Sequence, residues 1–398
     1  MKILVVCQYY PPEPFRIGDI CAALAARGHA VTVVTGEPNY PMGERYEGYG
    51  RGEHRDEIVN GVRVHRCYTA PRKRGALRRF LNYYSFALSS RAYLARLREE
   101  FDVVFVNQLS PVMMAGGAIA CAKKHGKKTV LYCLDLWPES LTAGGVKSGS
   151  AIYRFFLGVS RRIYRACDEI LITSRSFEAY LKETIGLANT PITYLPQYAE
   201  ALFDDVPPVA AHEPPYRFLF AGNIGDAQSV ETIVRAARLL KNDARVRFDI
   251  VGDGVALERC RKLADGSENI TFHGRQDVSQ MPGFYAAADA ALITLGKNPA
   301  LSRTLPGKVQ SYMAAGRAVL GAIDGETPRV IRDADCGACA AAEDAEGLAA
   351  QIRAFADEPE RFVRCGANAR QYNAAHFDQK TFIDGLEAAL QRNAAERR

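Results

Sequence analysis

The sequence predicts two α/β domains, each a doubly wound parallel sheet with helices on both faces. Three observations predict it. Short β-branched runs are apolar throughout rather than alternating, which is the pattern of strands covered on two sides. Amphipathic helical stretches separate several of these runs, as crossover helices do. Near the middle, residues 204–215 (DDVPPVAAHEPP) carry two Pro-Pro pairs and little periodicity, as a stiff linker would, and the alternation then restarts.

Taken in order, Lys2–Cys7 is expected as the first buried strand. Ile17, Ile20, Cys21 and Leu24 recur at helical spacing and predict a helix over Ile17–Arg27, closed by Gly28. Ala30–Thr35 follows as a strand, then apolar runs at Val62–Cys67, Val103–Val106, Thr129–Cys133 and Glu169–Thr173. In the second half, strands are expected at Arg217–Ala221, Arg247–Val251, Ile270–His273, Ala290–Thr294 and Ala318–Ala322, with helices around Val230–Ala237 and Pro306–Ala315. The expected domains are 1–203, a linker at 204–215, and 216–375, with a C-terminal helix at 376–398 packing back on the first domain. A cleft between two such domains is the expected ligand site.

Composition narrows the function. At 398 residues the chain is long for one core and suits two domains of roughly 200 residues. Apolar residues at 48% and charged residues at 24% exclude disordered and fibrous classes. Ten scattered cysteines in apolar surroundings read as small buried hydrophobes of a reducing cytoplasm. The first apolar run is too short for a signal peptide, and no stretch approaches the roughly 18 apolar residues of a spanning helix. The net charge of +6 is unevenly placed: residues 1–200 hold 27 Lys and Arg against 18 Asp and Glu, while residues 201–398 hold 24 against 27. The first half is therefore expected to meet negative charge.

Two places in the second half suit an anion. The first runs from the strand ending Phe220-Ala221 into Gly222-Asn223-Ile224-Gly225, with a helix expected just after. Such a turn aims backbone N–H groups and a positive dipole end at one spot. Gly222 and Gly225 permit close approach, and Asn223 and Gln228 offer side-chain amides. The second is Ser302-Arg303-Thr304-Leu305-Pro306-Gly307-Lys308, where Thr304 and Pro306 signal a helix start, Gly307 bares backbone and Lys308 supplies a point charge. Gly252-Asp253-Gly254 is a turn at the same strand edge, and the peptide groups of His273-Gly274-Arg275 suit pairing with a base. No Walker loop occurs, and Pro11-Pro12-Glu13-Pro14 stands where a dinucleotide fingerprint would follow the first strand. Asp333-Ala334-Asp335 reads as a solvated turn, Cys336-Gly337-Ala338-Cys339 is a lone pair of cysteines, and no histidine spacing suits a metal. No G-x-S-x-G occurs.

These residues resemble a bacterial retaining glycosyltransferase of the two-Rossmann (GT-B) class, family-four type, most similar to WbuB/WcaI-like enzymes of capsule and O-antigen assembly. The carriers are Tyr10-Pro11-Pro12-Glu13-Pro14, Arg27-Gly28-His29, Pro38-Asn39-Tyr40-Pro41, Asp135-Leu136-Trp137-Pro138-Glu139-Ser140, Leu195-Pro196-Gln197, Ala221-Gly222-Asn223-Ile224-Gly225 and Pro306-Gly307-Lys308 with Tyr312-Met313-Ala314-Ala315-Gly316. The resemblance implies transfer of a sugar, expected to be an N-acetylated or deoxy hexosamine, from a UDP-type donor with retention. It implies no cofactor and no metal, with Lys308 and helix N-termini neutralising the leaving diphosphate. Gly222, Asn223, Gly225, Gln228, Asp253, Arg275, Thr304, Pro306, Gly307 and Lys308 would line the donor site, with Arg275 by the base. Asp135 is the expected acid/base or orienting group, and Glu13 the second candidate. The family's Glu-x7-Glu pair is absent: Arg303 and Ser311 occupy its positions, so Gln310 and Ser311 are expected to replace its contacts.

Residues 71–98 carry Arg72, Lys73, Arg74, Arg78, Arg79, Arg91, Arg96 and Arg98 with no acid and interleaved aromatics. A second stretch carries Arg154, Arg161, Arg162 and Arg165, with Ile152, Phe155, Phe156, Val159 and Ile163 expected on one helical face. Basic amphipathic helices suit an anionic bilayer, and the expected partners are a membrane surface on the cytoplasmic side and a polyprenyl-diphosphate-linked glycan acceptor. No nucleic-acid motif accompanies the charge. Two other readings compete: a sugar-nucleotide epimerase of similar shape, and a non-catalytic subunit binding nucleotide sugar or membrane.

Overall fold

The computed structural model describes residues 1–50, 52–72, 75–143 and 145–395. Two compact units emerge, one of Met1–Leu195 with Ile383 onward, the other of Pro196–Phe382.

The first unit is an eight-stranded sheet of β1 (Lys2–Cys7), β2 (Ala30–Gly36), β3 (Asp56–Val59), β4 (Val62–Cys67), β5 (Val103–Gln108), β6 (Lys128–Cys133), β7 (Glu169–Ile172) and β8 (Ile192–Tyr194). Their order is β3-β4-β2-β1-β5-β6-β7-β8, parallel except for β3 against β4. The second unit is a six-stranded parallel sheet of β9 (Tyr216–Ala221), β10 (Val246–Val251), β11 (Ile270–Gly274), β12 (Ala290–Thr294), β13 (Ala318–Ala322) and β14 (Gly337–Ala340), in the order β11-β10-β9-β12-β13-β14. Central strands are apolar on both faces because helices cover both: β5 and β12 are buried at every position. In each sheet the chain winds outward from the first strand and then returns to its other side. Reversals of order therefore lie between β1 and β5 and between β9 and β12, where the loops part and leave a crevice at the strands' carboxyl ends.

Three strands were not expected. β3, β8 and β14 lie at sheet edges, are three or four residues long and half-exposed, so they carry no continuous apolar signal. All ten cysteines are free, nine of them buried; Cys336 leads into β14 and Cys339 lies within it. Among the described residues no cluster of His, Cys, Asp and Glu suits a metal.

The expected linker at 204–215 lies inside the second unit, and the chain changes unit at 195/196 and 382/383. Two arginines explain this. Arg317, 1% exposed, donates to the carbonyls of Ala315, Ala288 and Pro207, and Arg370 donates to that of Val206. Val206 and Val209 are buried, and His212 pairs with Asp289 at 2.8 Å. The Pro-rich segment is thereby tied down along its length.

The helix Gln379–Ala395 ends on the first unit. There Glu169, 4% exposed, accepts from Arg392, Asn393 and Thr193, and Glu387 meets Arg27 and His29. Removing the Glu169 carboxylate strands three donors on two elements, Arg392 and buried Asn393 on the terminal helix and Thr193 on β8. Glu169→Ala is expected to destabilise the first unit by about 2–4 kcal/mol in urea unfolding, whereas an exposed control such as Glu47→Ala changes stability by at most about 0.5 kcal/mol.

Candidate functional site

Each unit gathers candidate residues at the carboxyl edge of its own sheet. In the second unit the centre is the turn after β9. Gly222 and Gly252 both hold positive φ (139° and 138°), and a Cβ on Gly252 would sit 1.8 Å from the Gly222 oxygen. The turns after β9 and β10 thus press backbone to backbone, and Ile224 N–H donates to the Asp253 carbonyl at 2.8 Å. Only glycine allows that approach.

Into this turn comes Lys308, from the helix Gly307–Ala314 whose N-cap is Pro306. A Cβ on Gly222 would lie 2.4 Å from Lys308 Cε and 2.6 Å from Nζ. The ammonium sits 3.8 Å from the centroid of the Phe220 ring, has no hydrogen-bond partner among the described residues and is sealed from solvent. Burial pulls its pKa down to about 7. A cation–π contact is worth only about 1–2 kcal/mol, well short of the cost of an unpaired buried charge. The arrangement is one an incoming anion completes.

The other expected donor residues divide. Asn223 donates to the Gln228 side chain at 2.9 Å, so the two amides are locked together beside Gly225. Arg275 is exposed and forms no hydrogen bond among the described residues, and is available to a ligand. Asp253 is held as a turn residue by its own neighbour, accepting from Gly254 N–H at 2.7 Å. Of the peptide groups of 273–275 expected to meet a base, the His273 carbonyl already accepts from the Gln276 side chain and the Gly274 carbonyl from Gly252 N–H. Thr304 is corrected too, its hydroxyl donating to the Leu301 carbonyl at 2.8 Å. Gln310 is 1% exposed and its amide donates back to the carbonyls of Pro306 and Gly307, so it closes its own helix start. The helix expected from Val230 starts there, behind a single turn at Asp226–Gln228 and a left-handed Ser229.

Ser311 holds what the sequence did not reveal. Its hydroxyl donates to Glu200 Oε2 at 2.7 Å, with the Gly307 carbonyl at 3.2 Å as alternative acceptor. Ser311 is one helical turn beyond Lys308, so Glu200, 111 residues away in sequence, places a carboxylate at a position where the chain itself carries none. The only sequence signal was the missing acid at Ser311.

In the first unit Asp135 follows β6. Its carboxylate accepts from Ser110, at the end of β5, and is flanked by Ser140; Trp137 Nε1 donates to Ser110 Oγ at 2.9 Å. Burial raises the Asp135 pKa above the usual carboxylate range, opposed by the two serine hydroxyls. Glu139 of the same segment is buried and accepts from Tyr153 at 2.7 Å. Asp135 is thus a fixed, partly shielded acceptor at the carboxyl edge of the first sheet, after β6.

Glu13 is corrected. It is 2% exposed, and its two oxygens accept from the backbone N–H groups of Asn39 and Tyr40 at 2.8 Å and of Tyr10 at 3.2 Å. Burial pushes its pKa up to about 7 against the pull of these amides. It clasps the loops after β1 and β2 rather than presenting itself to a substrate.

The basic helices also sort themselves. On the helix Ala76–Arg96, Leu77, Leu81, Tyr84 and Leu88 are exposed at i, i+4, i+7 and i+11, beside exposed Arg78 and Arg79. On the helix Ala151–Tyr164 the expected single apolar face is split: Tyr153, Phe156, Ser160 and Tyr164 are buried, whereas Ile152 (57%) and Phe155 (64%) point outward. The Phe80 and Phe156 rings, 6.1 Å apart, join the two helices. Arg162 is exposed, but Arg161 donates to the Thr184 carbonyl, so its charge is partly structural. Arg72 is corrected: it turns inward among tyrosines. Lys73 lies outside the described residues.

Two doubly wound sheets in one chain, one with an anion-ready turn after its first strand, define a glycosyltransferase of the GT-B class. Residues 15–197 match the domain family described as glycosyl transferase 4-like, and residues 215–358 match that described as glycosyl transferases group 1. The chain is 28% identical over 336 residues to WcaI of Escherichia coli (strain K12), whose name describes a colanic acid biosynthesis glycosyl transferase; the match covers 79% of this chain and 82% of that one. Its fold is similar to that of sucrose-phosphate synthase from Thermosynechococcus elongatus (TM-score 0.76, 17% identity, 98% of both chains) and of Anabaena HepE in complex with UDP and glucose (TM-score 0.69, 14% identity, 98% of this chain and 99% of that one). The chain is a glycosyltransferase built of a glycosyl transferase 4-like domain followed by a glycosyl transferases group 1 domain.

One consequence is independent of substrate. An uncompensated ammonium destabilises the empty protein, so Lys308→Met is expected to raise the ligand-free Tm by a few degrees, corresponding to about 1–2 kcal/mol. A lower Tm would show that the charge is compensated in solution.

Proposed function

We propose that the protein transfers a sugar from a UDP-type donor, with retention and without a metal, to a polyprenyl-diphosphate-linked glycan during cell-surface polysaccharide synthesis. The observation that carries this is the sealed, unpartnered Lys308 ammonium under Gly222 at a helix start. A diphosphate placed there gains the lysine charge and the free N–H groups of the first turn. In the transfer, the C1–phosphate bond breaks, the nucleoside diphosphate leaves with its electron pair, and the acceptor oxygen bonds to C1 on the same face. Asp135 takes the hydroxyl proton, for which its raised pKa suits it. Glu200, held by Ser311, accepts the hydroxyls of the ribose, as carboxylates do in other nucleotide sites. UDP is favoured because HepE, of the same fold, was solved with it, and the polysaccharide setting follows the name of WcaI.

The acceptor's lipid is supported by the outward Leu77, Leu81, Leu88, Ile152 and Phe155 ringed by arginines, a surface suited to an anionic bilayer on its cytoplasmic side. Among the described residues no helix is long and apolar enough to cross a membrane.

Calorimetry with UDP tests the donor site. Wild-type protein is expected to bind UDP, and Lys308→Met to weaken binding about 100-fold, the equivalent of about 3 kcal/mol. pH adds a signature. Below about pH 7 the free amine is already protonated and affinity is flat. Above it each UDP must bring a proton with it, so Kd rises by up to about tenfold per pH unit. A flat profile from pH 7 to 9 would place Lys308 elsewhere in the mechanism.

Glu200→Gln preserves an acceptor for Ser311 but not the charge. It is expected to weaken UDP about tenfold while leaving binding of inorganic pyrophosphate within about twofold. Equal losses for both ligands would assign Glu200 to the phosphate end or to the fold.

A further inference from the structure

Arg72 sits in the basic stretch but not on the surface that stretch presents. Its backbone N–H donates to Asn39 Oδ1 at 3.1 Å, and Nη1 donates to the Tyr9 hydroxyl at 3.2 Å. The guanidinium carbon lies 5.7 Å from the Tyr40 ring centroid and 5.5 Å from that of Tyr83. Tyr9 stacks on Phe15 at 4.8 Å, and Tyr40 leans against both. A chain of buried amides holds this frame rigid: Gln8 donates to Asn82, and Asn82 donates to Asn39 and to the Ala70 carbonyl. The loops after β1, β2 and β4 are thereby fixed around one guanidinium at the carboxyl edge of the sheet.

This cation has no acidic partner among the described residues. A guanidinium carries five N–H donors, and here one bond to a neutral phenol is all its side chain makes. The same unit shows what a structural arginine looks like: Arg66, its side chain 1% exposed, pairs with Glu57 at 2.6 Å. Tyr83, whose ring centroid lies 5.5 Å from the guanidinium carbon, completes the aromatic frame. A guanidinium fork left without a carboxylate suits a phosphate or diphosphate, whose oxygens accept its paired N–H groups.

We propose that Arg72, framed by Tyr9, Tyr40 and Tyr83, anchors the phosphate end of the acceptor while Asp135 receives its hydroxyl. This rests on the reading of Asp135 as the acceptor-side group and gives Arg72 a role distinct from membrane contact.

The test separates the anchor from both transfer and membrane. In a Lys308→Met background, which silences the donor site, farnesyl diphosphate binding measured by calorimetry is expected to weaken about tenfold or more on Arg72→Gln, with Arg72→Lys between the two. Sedimentation with phosphatidylglycerol vesicles is expected to stay unchanged, and circular dichroism shows whether Arg72→Gln folds. In otherwise wild-type enzyme, Arg72→Gln should raise KM for a diphosphate-linked acceptor about tenfold, with KM for the nucleotide donor held within about twofold and KM for the same glycan on an uncharged alkyl chain unchanged. Equal diphosphate affinity with and without Arg72, a matching rise in KM for the uncharged acceptor, or loss of vesicle binding overturns the proposal. If wild-type protein transfers nothing yet the Arg72-dependent diphosphate binding is present, the transfer reading fails and the anchor stands.

Discussion

An ammonium enclosed by the fold without a counter-ion governs the second unit. Lys308 lies against the Phe220 ring and beneath Gly222, a position that only a residue lacking Cβ leaves open. Around it the turns after β9 and β10 pack backbone on backbone through Gly222, Gly252 and Gly254, so the walls are rigid. Rigidity is what makes the missing charge matter. A flexible site would let the lysine swing into water, whereas here relief comes from an anion or from losing a proton. The empty protein is thereby held in a less stable state than its side chains would otherwise permit, and ligand binding recovers the difference.

The first unit uses the same principle with a different cation. Arg72 is surrounded by tyrosine faces and fixed amides, while Arg66, Arg27 and Arg392 all end on carboxylates. Of the many positive charges in residues 1–200, some are therefore structural, some are exposed beside outward apolar side chains, and Arg72 is half-buried among tyrosines without an acid. Net charge describes none of these separately. The distinction depends on which carboxylates the fold brings within about 4 Å, and those come from distant parts of the chain.

Much of the architecture was legible because parallel strands covered on both faces must be continuously apolar, and Ile3–Cys7, Val103–Val106 and Ala290–Ile293 are. The edge strands were illegible for the converse reason: Asp56–Val59 and Gly337–Ala340 are short and half-exposed, so hydrogen bonding to one neighbour places them and burial leaves no mark. The Pro-rich 204–215 segment looked like a linker from composition, yet Arg317 and Arg370 bind its carbonyls from more than a hundred residues away.

Glycine and proline spacing determined by themselves where the donor-side turn and its helix start would fall, because local backbone conformation is set by neighbours in sequence. Lys308 and Gly222 were nameable on that basis, and Asp135 from the family resemblance that Asp135–Ser140 carries. What only the tertiary structure decided is which side chains remain available. Glu13, Thr304 and Gln310 have the right chemistry but are engaged with backbone groups, while Glu200 has no local signature and yet supplies the acid beside Ser311. Hydrogen-bond partners and burial are properties of contacts between distant segments, and those contacts settle whether a polar group serves the fold or a ligand.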